Sequence, residues 1–191
     1  MNLLNETFSA ADVAIAANIP PETLQNWIKR GLIVGQGEGE AKIAGGGSRG
    51  KRRQFSWESL MAIAAAAALV GVGLSPITAH KAANRFAMRS DGPGATWGDE
   101  PTKNAAPLRA PAFPFHHDLG ETYLCAWGDK STVILSADGT INPRTIVPAK
   151  DRAVGLTVVS MSELFMQIVA RLELGHPIEL LDAAYAGQEY A

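Results

Sequence analysis

The pattern of apolar and polar positions divides the chain into a helical front and a strand-rich back. Thr7 or Ser9 can cap a first helix over about 10–17, with Asp12 at its positive end and Val13, Ala14 and Ala17 on its inner face. Asn18 tolerates a left-handed turn, and Pro20-Pro21 leads into a second helix that Gly31 terminates. Within it Leu24, Trp27 and Ile28 fall at i, i+3 and i+4, which predicts one buried face. Leu32–Val34 reads as a short strand, residues 35–50 as a Gly-rich loop, and Lys51–Phe55 as the returning strand of a hairpin. Ser56 caps a helix ending near Gly71–Gly73, and Ser75-Pro76 starts another that reaches about Met88.

Residues 89–118 are dense in Pro and Gly and lack periodicity, which marks a linker or an extended wrap whose aromatic residues pack down. After it, Glu121–Trp127 and Thr132–Ser136 read as strands around Gly128-Asp129, and Ala137–Thr140 as a turn. Ile141–Val147 would continue the meander, and Val154–Val159 is a further β-branched run. Ser160 and Glu163 have capping-box spacing for a helix over about 161–174. Its stripe of Leu164, Phe165, Ile168, Val169, Arg171 and Leu172 either covers the chain's own sheet or meets a second copy. A last short helix is expected over 178–186. The fold class is α+β. Residues 1–88 form one domain, 89–118 a linker, and 119–191 a small β-rich dimerisation or effector region.

Charge sharpens this division. Residues 1–90 carry ten Lys and Arg against six Asp and Glu, and residues 91–191 carry seven against thirteen. A basic front and an acidic back point to a polyanion met by the front alone. The apolar run Leu60–Leu74 has 15 residues, short of the roughly 20 that a membrane span needs, so a buried helix is expected and no membrane partner. The single cysteine, Cys125, rules out an internal disulfide and a Cys-rich zinc site, and a cytoplasmic setting fits. Cys125 reads as a buried thiol.

The polar side chains of the second helix and the basic segment after it suit contact with DNA. A helix over 21–30 is about 15 Å long and fits a major groove roughly 12 Å wide. Gln25 and Asn26 can bond adenine edges, Glu22 can accept from cytosine, and Lys29 and Arg30 can reach phosphate or guanine. Thr23 belongs to the same first turns. Arg49, Lys51, Arg52 and Arg53 place four positive charges in five residues of a wing over 35–54, suited to the backbone or the minor groove. No catalytic set, nucleotide loop or cofactor motif stands out, and His116-His117 reads as a packing feature rather than a metal site.

The segments FSAADVAIAANIPPETLQNWIKRGLI and RRQFSWESLMAIAAAAALVGVGLSPITA resemble the winged helix-turn-helix domain of MerR-family regulators. The shared features are Trp27, Arg30-Gly31-Leu32, the wing exit at Arg52–Ser56 and the helix end at Leu69–Ser75, over about residues 8–86. Phe55 stands where the family usually has Tyr, and the wing is longer and richer in Gly. The resemblance implies a sequence-specific double-stranded DNA-binding regulator of transcription or recombination, not an enzyme. Classical members end in a long dimerising helix, which this chain replaces with a small β-rich region; because one short helix with a wing covers only a few base pairs, a homodimer through residues 119–191 is expected. The rival reading is a protein-interaction or assembly module of phage-like type that does not read DNA.

Overall fold

The computed structural model describes residues 3–33, 43–44, 53–89, 96–97, 100–101, 109–151 and 155–186. The chain is mixed α+β. Seven helices accompany two three-stranded antiparallel sheets and a two-stranded ladder of β4 (Thr96–Trp97) with β5 (Glu100–Pro101) among the described residues.

The front half begins with β1 (Thr7–Ser9) and α1 (Ala10–Ala17). Ser9 Oγ accepts from the Asp12 backbone N–H at 3.2 Å, and Asp12 accepts from the Ser9 N–H at 2.8 Å. This reciprocal box satisfies two donors that the first turn would otherwise leave unpaired. Asn18 closes α1 in the left-handed region at φ 51. After Pro20, α2 runs Pro21–Lys29, and Gly31 at φ +64 turns the chain away. Both helices begin and end where the cap residues placed them.

The strand expected over 32–34 is corrected. Leu32 and Ile33 lie in no strand, and Val34 falls outside the described residues. Ile33 is instead buried in the core. The returning strand is β3 (Gln54–Ser56), preceded by β2 (Ile43–Ala44), and β3 is the centre of its sheet. β1 lies on one side of it, pairing Phe8 with Phe55, and β2 on the other, pairing Ile43 with Phe55. β1 has only three residues, too few for an alternation signal in the sequence.

Ser56 caps α3 (Trp57–Gly71), and Ser75 caps α4 (Pro76–Met88). α3 is buried along most of its length, and its alanines let α4 and α1 pack closely against it. No helix among the described residues is long and apolar enough to cross a membrane.

The segment from 109 to 116 is held firmly. Arg109 is fully buried, and its guanidinium donates to the carbonyls of Ala110, Phe113 and Arg89 while lying 4.6 Å over the Phe86 ring. Those bonds offset the desolvation of a charge that is costly to bury without partners. Tyr185 donates to the Pro114 carbonyl and accepts from the Ala110 N–H at 3.1 Å.

In the back half β6 (Glu121–Trp127) and β7 (Lys130–Ser136) form a hairpin around Gly128-Asp129. The continuation of the meander over 141–147 is also corrected. Asn142 accepts from the Arg144 N–H and Pro143 occupies the first helical position, so Pro143–Ile146 forms the one-turn helix α5. The third strand is β8 (Thr157–Ser160), on the far side of β6, giving the order β7-β6-β8. Ser160 then caps α6 (Met161–Arg171), and α7 (Pro177–Tyr185) follows. Only half of the expected capping box at Ser160 forms. The serine accepts from the Glu163 N–H, while the Glu163 carboxylate turns to Gln167 at 2.8 Å.

One buried cluster runs through both halves. Trp57 is its meeting point, with ring centroids of Phe8 at 5.9 Å, Phe113 at 5.8 Å and Phe165 at 6.0 Å. Leu164, Phe165, Ile168 and Val169 are therefore spent inside the chain's own core. Arg171, just beyond them, donates to the Ala16 carbonyl at 2.8 Å and so satisfies an acceptor at the end of α1.

Candidate nucleic-acid interface

α2 is held by one face and offers the other. Leu24, Trp27 and Ile28 are buried, each 5% exposed or less. Glu22, Gln25, Asn26, Lys29 and Arg30 are exposed, and Thr23 is half-buried. Among the described residues, the side chains of Gln25, Asn26, Lys29 and Arg30 are engaged in no hydrogen bond or ion pair. Their amide and cationic groups thus remain available to an outside partner. Nine residues of helix make about 13.5 Å, close to the width of a major groove.

The seat of α2 includes a residue that sequence reasoning missed. His80 on α4 meets Trp27 edge-on, with ring centroids 4.6 Å apart. Its Nδ1 lies 2.8 Å from the Pro76 carbonyl, and its Nε2 is buried without a hydrogen-bond partner. Burial holds the imidazole below its ordinary pKa of 6.5, with the Pro76 carbonyl acting in the opposite direction. A neutral His80 donating to Pro76 is the consistent state. No sequence signal marks it, because its partner lies on another helix 53 positions away.

The hairpin β2–β3 is the element expected to carry the wing. Arg53, half-buried, stands directly before β3. Arg49, Lys51 and Arg52 lie outside the described residues, as do 35–42 and 45–52 of the expected wing as a whole. Phe55 is fully buried, so it serves packing alone.

Elsewhere, His116, His117 and Asp118 bring potential ligand atoms within 4.8 Å of one another. His116 is already tied to Asp182 of α7 at 3.0 Å and stacked on His117 at 4.3 Å. That arrangement anchors the 109–118 segment to α7. Cys125 is fully buried, and burial pushes its thiol up to about 11, which keeps it protonated and unreactive. Neither a protein-family model, nor a curated protein, nor a solved structure matches the chain.

Proposed function

We propose that this chain is a sequence-specific double-stranded DNA-binding protein acting in transcription or recombination. In this reading β1, α1, α2, the β2–β3 hairpin and α3 form a MerR-like winged helix-turn-helix. α2 enters the major groove, and the basic residues before β3 follow the backbone or the minor groove. The observation that carries it is the outward polar edge of α2, Glu22, Gln25, Asn26, Lys29 and Arg30, on a helix fixed from behind by Leu24, Trp27 and Ile28. These amides and cations are the groups that base edges and phosphates would meet in a major groove.

A single α2 covers few base pairs, so the working unit is a homodimer on half-sites about 34 Å apart. The apolar stripe of α6 is occupied within the chain, which leaves the outer edges of β7 and β8 as the contact that fits best. A reducing cytoplasm suits the buried thiol of Cys125.

Selection of bound duplexes from a random pool tests the proposal. Gln25→Ala or Asn26→Ala should relax preference at one or two base pairs, by about 1–3 kcal/mol each. Absence of any duplex binding would instead favour an assembly module.

A further inference from the structure

A cleft of about 630 Å³ opens between α4 and the β7 side of the back-half sheet. Lys81 and Arg85 stand four residues apart on α4, which puts them on one side of the helix, and Arg89 follows in extended backbone just past its end. They face Lys130 at the start of β7 and Lys150 in the short turn over 149–151. Among the described residues, the one carboxylate in the lining is Asp151. It accepts from Trp127 Nε1 at 3.0 Å and from Lys130 Nζ, and these bonds hold its carboxyl below the usual range. Among the described residues the lining therefore gathers five cations and one carboxylate; Lys130 is tied to that carboxylate, and Arg85 and Lys150 have interactions of their own.

Like charges that converge on a concave surface repel one another and focus a positive potential into it. Lys81 and Arg89, both exposed, stand at its rim and add to that potential. The cleft is also not uniformly polar. Ile146, Pro148 and the Trp127 ring give it an apolar wall beside the cationic edge. Its volume lies in the range of small-molecule sites. We propose that this cleft binds a small phosphorylated organic anion of nucleoside-diphosphate size, its phosphates on the α4 cations and its organic part on the apolar wall.

A nucleic-acid backbone fits the page less well. His80 points towards Trp27 of α2, whereas its neighbour Lys81 lines the cleft. Successive helical residues diverge by about 100°, so α2 and the cleft lie on different sides of α4. The proposal does not rest on the DNA reading.

Calorimetric titration of the full chain with ADP and with inorganic pyrophosphate, at constant ionic strength, tests it. Saturable binding of both is expected, with ADP the tighter. Lys81→Gln combined with Arg89→Gln, both exposed positions, should weaken each probe by about tenfold or more per charge removed. Asp151→Asn should tighten both. Absence of saturable heat, or equal binding by the double variant, would overturn the proposal. Pyrophosphate binding as tightly as ADP would overturn its organic half. A duplex that displaces ADP, and that the double variant binds more weakly by the same factor, would show a nucleic-acid groove instead.

Discussion

Phe165→Ala is the sharpest test of how the two halves depend on each other. Phe165 sits on α6, fully buried, with its ring 6.0 Å from Trp57 of α3 and 6.0 Å from Phe113. Truncating such a ring removes its transfer energy and leaves a cavity, at a cost of about 3–5 kcal/mol. A chain of this size loses about 2–4 °C per kcal/mol, so the melting temperature should fall by roughly 6–20 °C. The informative part is where the loss is felt. Trp57 opens α3, so the amides of α3 should lose hydrogen-exchange protection by about a hundredfold or more. Melting followed by circular dichroism should remain a single transition that moves as a whole. Two transitions, with α3 protection unchanged, would refute the shared core. The same logic extends to a chain ended at Met88. It would lack Phe113, Phe165, Ile168 and Val169, each worth about 1.5–3 kcal/mol of burial, which together rival the roughly 5–15 kcal/mol of a whole domain. Such a fragment is expected not to fold as a DNA-binding unit.

Duplex affinity should fall linearly with log salt, and Lys29→Gln or Arg30→Gln should each lower the slope by about 0.9 in a salt titration if that side chain meets a phosphate; a flat salt response would remove the DNA reading. His80 has a depressed pKa in the fold, so the unfolded chain takes up its proton first and stability should drop as pH falls through about 6.5. His80→Gln should flatten that acid limb in urea titrations run across the range. Cys125, with its thiol pushed up to about 11, should resist a thiol reagent at neutral pH until denaturant is added; rapid labelling of the native chain would contradict its burial.

Much of the helical skeleton was legible in the chain because its signals are local. Ser9 with Asp12, Ser56, Ser75-Pro76 and Ser160 begin helices, and Asn18 and Gly31 turn the chain where helices have ended, through hydrogen bonds and φ angles spanning only a few residues; α6 instead ends at Arg171, with Glu173 rather than Gly175 in the left-handed turn after it. The i, i+3, i+4 spacing of Leu24, Trp27 and Ile28 likewise told which edge of α2 faces out. What sequence did not reveal depends on partners far along the chain. β3 pairs with residues 7–9 and 43–44, while Ile33 is buried in the core. Asn142-Pro143 favoured a helical turn over a strand, and β8 took the free side of β6. Arg109 within a Pro-rich stretch, His80 beneath Trp27, and Arg171 on the carbonyl of Ala16 each needed a partner that only folding delivers. The cationic cleft is the extreme case. Its charges come from α4, β7 and the turn at 149–151, and no single segment of the sequence shows them together.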